Sequence, residues 1–386
     1  MNYNSIIVGA GFAGAVAARA LAEAGRRVLV LEKHDHIGGN AYDCLNDAGI
    51  LIHQYGPHIF HTNDKEVYDF LSRFTPWRSY EHEVVASIPD NGSRAEMPVP
   101  FNLKSLRQAY GAEKAARLEK KLIDIYGMEK KVTILQLREN TDPELSELAQ
   151  YVYDHVFVRY TMKQWGQKPE EIDPAVTARV PVFISEDCRY FQDTYQGMPL
   201  NGYTPLFASM LDHENIEVRT GVNANTVLTF RDGIITFEGA AFTGDVIYSG
   251  PADELFDCCY GRLPYRTLDF KFETYDKDFF QSHGTVNYTM DEDYTRITEF
   301  KRLTGQEKTG VTTIMKEYSR AYTGAEDEIP YYAIANDETA ALYAKYAEKA
   351  AEFPKLHLLG RLAEYRYYNM DAIVAGALKL TRELVK

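Results

Sequence analysis

The sequence predicts an α/β protein. One parallel-sheet domain is assembled from distant pieces of chain, and a helical subdomain and an antiparallel β-sheet subdomain are inserted into it. Three observations carry this expectation. Residues 4–32 hold a complete strand–helix–strand unit around a glycine-rich turn. Residues 103–165 are dominated by helix-forming residues, and residues 268–318 read as long strands. A further apolar strand, KLHLLG at 355–360, lies near the C-terminus and suits a return to the first sheet.

Size and composition fit that architecture. The chain has 386 residues, enough for two or three domains, with 45% hydrophobic and 25% charged residues, so fibrous and disordered classes are excluded. Basic residues number 42 against 56 acidic ones, a formal net charge of −14. Such a surface repels phosphate backbones and argues against nucleic acid. An anionic ligand would need arginines gathered in one cleft. Cys44, Cys188, Cys258 and Cys259 form no C-x-x-C pair, which predicts reduced thiols and a cytoplasmic setting. No apolar run approaches the roughly 18 residues of a membrane span, and the N-terminus runs directly into a strand, leaving no room for a signal peptide.

The elements follow in order. Ser5–Val8 is a short β-rich run suited to a buried parallel strand. Gly9-x-Gly11-x-x-Gly14 then opens a helix through 15–24 (AVAARALAEA), which Gly25 ends. Residues 27–31 (RVLVL) form the second strand, closed by Glu32. The glycines permit a tight turn and close approach to a pyrophosphate, and the helix N-terminus supplies N–H groups and partial positive charge. Glu32, 18 residues beyond Gly14, can accept from ribose hydroxyls and would repel a 2′-phosphate. The continuation from Lys33 through Gly38-Gly39-Asn40 resembles FAD proteins of the glutathione-reductase type, so FAD is the expected dinucleotide.

Residues 49–63 carry His58 and His61 at a spacing of three, but nothing nearby completes a metal site, and no metal is expected. Gly56-Pro57 suits a turn before Ile59-Phe60, making this loop flavin- or substrate-facing. Residues 80–100 read as a hairpin around DNGS. Asp142-Pro143-Glu144 starts a helix, capped by Thr141 or Asp142. Residues 197–215 begin with turn residues and become a helix, and 217–249 form short strands. The segment 268–318 is expected to be free of helix. Residues 338–349 and 371–385 are helical. The resulting division is 1–80 with 200–262 and 335–386 for the dinucleotide domain, 101–180 for the helical subdomain, and 81–100 with 181–199 and 263–334 for the antiparallel sheet.

Several stretches together resemble the bacterial UDP-galactopyranose mutases: residues 9–14, 32–42 (EKHDHIGGNAY), 55–64 (YGPHIFHTND), 160–166 (YTMKQWG), 179–182 (RVPV), 195–203 (YQGMPLNGY), 265–268 (YRTL), 294–301 (YTRITEFK), 330–332 (PYY) and 360–370 (GRLAEYRYYNM). They span nearly the whole chain. The glycine fingerprint is common to many flavoproteins, whereas 160–166, 294–301 and 360–370 are far more specific. The resemblance implies a flavoprotein isomerase of galactofuranose biosynthesis, serving cell-wall or capsule polysaccharide. It implies interconversion of UDP-galactopyranose and UDP-galactofuranose without net redox change. Reduced FAD would attack the anomeric carbon through N5, with UDP leaving, and the enzyme would be a homodimer. The cofactor carries the chemistry, and protein groups orient and neutralise. That fits a chain without an obvious carboxylate pair or triad. The alternatives are an FAD oxidoreductase of the same fold acting on another substrate, and a UDP-sugar-binding protein with a structural flavin.

Carried over by position, the resemblance gives Arg179, on a mobile loop, and Arg296 as the diphosphate arginines; a planar guanidinium grips phosphate oxygens in pairs. It implies Tyr160, Thr161 and Trp165 around substrate, and Tyr190 and Phe191 on uracil. Tyr332 and Tyr367 would lie on the diphosphate, with Arg266, Asn287, Asn369 and His82 as further substrate contacts. Arg179, Arg296 and His58 take the catalytic roles. Gly9, Gly11, Phe12, Gly14, Glu32, Lys33, Gly38, Gly39, Asn40, His58, Ile59, Gly360, Arg361, Tyr367, Met370 and Asp371 would surround the cofactor. Two departures stand out: Asn369 replaces a common aspartate, losing its charge, and Ala333 replaces a common proline after Tyr332.

Overall fold

A computed structural model describes residues 3–90, 93–167, 181–325 and 327–386. Its base is a five-stranded parallel sheet in the order Ile216–Arg219, Val28–Leu31, Ser5–Val8, Asp245–Tyr248, Leu356–Leu358. The two strands Val28–Leu31 and Ser5–Val8 are almost wholly buried, as sheets covered on both faces require. Helix Phe12–Glu23 buries its alanine-rich side, and helix Met370–Leu384 packs beside it, so that Val16, Leu21, Val374, Ala377 and Leu378 share one core. Truncating such a leucine to alanine costs about 2–5 kcal/mol.

A second core joins the hairpin Val84–Asp90 and Ser93–Val99 to helices Leu103–Tyr126 and Pro143–Val152. The long helix is broken at Gly111, whose φ is +70°. Asp142 starts the next helix by accepting from the N–H groups of Glu144 and Leu145 at 2.9 and 3.2 Å, with Pro143 in the first turn. That helix continues through a π turn at Tyr153–Phe157 into Val158–Trp165, where Gly166 at φ +69° ends it. Single-turn π segments shift the face a helix presents and cluster at functional sites.

The largest sheet has seven strands in the order Tyr332–Ala333, Tyr265–Tyr275, Thr312–Ala321, Arg296–Glu299, Thr285–Tyr288, Val84–Asp90, Ser93–Val99. All pairs are antiparallel except Thr285–Tyr288 with Val84–Asp90, which run parallel, as the long stretch of chain between them allows. Two further details differ from expectation. Tyr195–Pro199 is a strand, paired with Phe60–Thr62 and Trp77–Ser79, where turn residues were expected from 197 onward. Phe300–Thr304 is a short helix within the segment expected to be free of helix, with Gly305 in the left-handed region at its end. No described helix is long and apolar enough to cross a membrane.

Candidate active site

The first half of the site is built from backbone. Gly14 lies on the first turn of its helix, and a Cβ there would meet the Gly9 carbonyl oxygen at 1.9 Å, so helix and strand pack closer than any side chain allows. A Cβ on Gly9 would meet Ser249 Oγ at 2.2 Å. Gly39, at φ +53°, lies with its Cβ position 3.1 Å from Gly11 Cα, and the Gly38 N–H donates to the Ala10 carbonyl at 3.0 Å. The two glycine turns are thus pressed together. No described side chain caps the helix at Gly11, leaving its N-terminus open to an anion. Glu32, buried at the end of its strand, accepts from the Ala10 N–H at 2.8 Å and the His34 N–H at 2.9 Å. Each oxygen keeps a lone pair for a ribose hydroxyl. Gly360 sits against Ala13 and Ser249 at the same crevice. This cradle, with its acid and open helix end, fits FAD.

The second half is a cavity of about 250 Å³ between the seven-stranded sheet, helix Val158–Trp165 and the loops at 56–61 and 360–370. Register builds its charged wall. Asn287 lies directly opposite Arg296, and Arg296 opposite Glu317, so these side chains stand in a row on one face. Arg296 Nε lies 3.1 Å from Glu317 Oε2. Its Nη atoms have no hydrogen bond among the described residues. Burial works against the Arg296 charge, but Glu317 and the hydroxyls of Tyr160, Tyr332 and Tyr190 outweigh it and favour the cation. Burial pushes the Glu317 carboxyl up, and Arg296 only partly opposes this.

An aromatic wall lines the same cavity. Trp165, Tyr332 and Tyr367 meet with ring centroids 5.3–6.3 Å apart. The Arg361 guanidinium lies 4.4 Å from the Tyr367 ring centroid and donates to the Tyr331 carbonyl at 3.3 Å. Burial holds the Tyr160 phenol up to about 12 and raises Tyr332 too, so both stay protonated donors. His58 contacts the Gly56 carbonyl through Nδ1 at 2.9 Å. A carbonyl only accepts, so Nδ1 carries the hydrogen and Nε2 is an acceptor with no hydrogen bond among the described residues. Burial lowers His58 to about 4, keeping that form neutral. Burial likewise lowers His82 to about 3. The His58 N–H in turn donates to Nδ1 of the buried His53 at 3.1 Å, fixing the loop.

The structure gathers most of the expected residues but not all. His58, Ile59, His82, Tyr160, Trp165, Tyr190, Phe191, Asn287, Arg296, Tyr332, Arg361, Tyr367, Asn369 and Met370 line the cavity. Arg266 does not: its guanidinium donates to the Gln164 and Lys163 carbonyls and to Ser319 Oγ, capping the C-terminal end of the helix that carries Trp165. Thr161 is buried on that helix and does not line the cavity. The Phe12 ring packs edge-on against Tyr203 and Phe207 in the core, leaving only its backbone to the cradle. Asp371 accepts from Thr62 Oγ1 at 3.0 Å and from its neighbour Ala372 N–H. One face of Phe191 is covered by His61, stacked at 3.6 Å, and His61 pairs with Asp193 at 2.9 Å. Lys33 is exposed, Asn40 lies on the turn after the second glycine pair, and Arg179 lies outside the described residues. Among the described residues no three of His, Cys, Asp or Glu gather as a metal site.

Sequence reasoning missed Glu317, Gln164, Thr285 and Tyr331 as cavity residues. The available signal for Glu317 was a lone acid just after Lys316 and the apolar and threonine run 311–315, which is informative only once strand register is known. Gln164 lies inside the specific stretch 160–166, between Lys163 and Trp165.

The comparisons agree with this geometry. A profile of the UDP-galactopyranose mutase family matches residues 155–367, and a profile of NAD(P)-binding Rossmann-like domains matches residues 7–74. The chain is 35% identical to a UDP-galactopyranose mutase of Mycoplasma pneumoniae, with 100% of this chain and 96% of the relative covered. It is 36% identical to a dTDP-fucopyranose mutase of Escherichia coli, with 99% and 98% covered. Among solved structures, a reduced UDP-galactopyranose mutase superposes with a TM-score of 0.70 at 15% identity, covering 99% of this chain and 94% of that one. The chain belongs to the UDP-galactopyranose mutase family.

Proposed function

We propose that this flavoenzyme interconverts UDP-galactopyranose and UDP-galactofuranose in the cavity, with FAD held in the glycine cradle. The observation that carries the reading is Arg296: a half-buried arginine whose Nη atoms have no hydrogen bond among the described residues, beside the protonated Tyr160 and Tyr332, in a chain whose net charge is −14. That arrangement suits a diphosphate and little else. When bound and reduced, the flavin supplies the nucleophile for the anomeric carbon. The chain does the rest. Arg296 takes two phosphate oxygens and stabilises the charge that develops on UDP as its bond to the sugar breaks. Tyr160, Tyr332 and Tyr367 donate hydroxyl hydrogen bonds to the same oxygens. We assign Arg179 to the same diphosphate. His58 offers neutral Nε2 to a sugar hydroxyl, and Trp165 with Tyr332 and Tyr367 walls out water. Arg266 is a positioning residue beneath Trp165. We place this activity in the cytoplasm and expect a homodimer, which sedimentation of the purified protein checks.

The test is incubation of dithionite-reduced protein with UDP-galactofuranose, followed by chromatography, with an unreduced control. Conversion to UDP-galactopyranose only after reduction is expected. Steady oxygen or nicotinamide consumption without isomerisation would mean an oxidoreductase. UDP binding without either would mean a binding protein.

A further inference from the structure

The cavity holds more hydrogen-bond acceptors than its own donors satisfy. Gln164 Oε1, Thr285 Oγ1, Asn287 Oδ1 and Glu317 Oε1 are buried and have no hydrogen-bond partner among the described residues, and all four residues line the cavity. Those residues are only 4%, 2%, 8% and 1% exposed, respectively. Asn287 and Glu317 flank Arg296 in the cross-strand row, Thr285 shares their face two residues before Asn287, and Gln164 comes from helix Val158–Trp165. The donors nearby, Arg296 and the tyrosines, suit phosphate oxygens. Gln164 Oε1, Asn287 Oδ1 and Glu317 Oε1 are of no use to a phosphate, which has nothing to donate, and the Thr285 hydroxyl can accept as well as donate. They suit hydroxyl groups, and in a nucleotide sugar the groups on either side of the diphosphate are a ribose and a hexose. A site built to accept from a substrate hydroxyl rejects an analogue lacking it, because the acceptor is then left buried and unpaired.

We infer that these four acceptors form a hydroxyl-reading subsite that selects a nucleotide sugar with a fully hydroxylated hexose over its 6-deoxy counterpart. This rests on the proposed function. It also divides the two kinds of relative that whole-chain identity leaves level, at 35% and 36%: one named for a galactose nucleotide, the other for a fucose nucleotide, whose sugar is a 6-deoxyhexose.

The experiment keeps the nucleotide constant. Reduced holoprotein is given UDP-galactopyranose or UDP-6-deoxygalactopyranose, and kcat/KM and Kd are measured for each. A preference of roughly 10- to 100-fold for the hydroxylated sugar is expected, the factor one unmatched buried acceptor produces. The ratio is then measured in Gln164→Met, Thr285→Val, Asn287→Leu and Glu317→Met. In at least one it falls to within about twofold of unity, the scatter of near-neutral changes. Both sugars share the same UDP, so the ratio is insensitive to any disturbance of Arg296. Equal use of the two sugars, or preference for the deoxy sugar, overturns the inference while leaving the mutase reading intact. A wild-type preference that persists in all four variants overturns its assignment to these acceptors. Isomerisation of neither sugar by reduced, flavin-loaded protein contradicts the proposed function instead. The two Kd values then still decide the subsite, and equal binding overturns it.

Discussion

The glycine cradle and the cavity differ in what builds them. The cradle lies within 9–39, apart from Ser249 and Gly360, and, Glu32 aside, it works through backbone atoms and missing side chains. The cavity draws on residues from Gly56 to Met370, and it works through side chains that meet only because strands Thr285–Tyr288, Arg296–Glu299 and Thr312–Ala321 pair in one register. Backbone recognition needs a local chain shape, which a short motif can encode. Side-chain recognition needs distant residues aligned to within one position, since a one-residue slip turns every side chain to the other face. The two halves should therefore fail separately.

The largest separation is expected at Gly14. Gly14→Val drives a side chain into the Gly9 carbonyl, where only backbone could yield. Protein purified from that variant is expected to lack flavin absorbance. Normal flavin content would break the claim that close packing forms the cradle.

Acid should weaken the fold around the cavity. His53, which holds the cavity loop through His58, and His82, in the cavity, are each held by burial at about 3, against 6.5 unfolded. Above 6.5 both states are neutral and neither histidine affects stability. As pH falls below 6.5 the unfolded chain takes up protons that the native state refuses, so stability drops. By pH 5 the loss is about 2 kcal/mol for each histidine. Melting curves at pH 7 and pH 5 measure it, and His82→Asn should flatten the difference. A slope unchanged by that variant would contradict the buried neutral histidine.

Tyr332→Phe removes one hydroxyl from the cavity alone. It should lower kcat/KM roughly tenfold, the worth of one hydrogen bond to a charged group, with flavin content intact. Flavin loss in this variant would show that the halves are coupled. Gly25→Ala is the smallest change. Gly25 has φ +80°, but no atom lies within 4 Å of the place a Cβ would take, so only backbone strain of about 1–2 kcal/mol is added. Full flavin retention with a slightly lower Tm would separate a glycine that caps a helix from one that admits a cofactor.

The same contrast explains what could be read from the chain. Strand Ser5–Val8, its glycine turn, its helix and Glu32 were legible because they are adjacent in sequence. The hairpin at 84–99 and the C-terminal helix were legible from alternation and amphipathic spacing. Strand Tyr195–Pro199 was not: glycine and proline read as a turn, and only its two strand neighbours show that it is paired. Helix Phe300–Thr304 was hidden among β-formers and is defined by Gly305 behind it. In the cavity, family resemblance singled out Arg296 and Tyr332, yet the same resemblance put Arg266 on substrate. Its place under the helix end depends on the π turn and on Gly166, whose Cβ position lies 2.7 Å from the Arg266 guanidinium. Glu317 was invisible because its meaning comes from Arg296 opposite it.

The most direct test of a side-chain-built diphosphate site beside an independent cradle is a titration of Arg296→Ala holoprotein with UDP, reading flavin content in the same sample. Full flavin occupancy with UDP affinity weakened about 100-fold is the expected result, the worth of a charge-assisted pair of hydrogen bonds. UDP affinity equal to that of the parent protein, or flavin lost together with UDP, would contradict it.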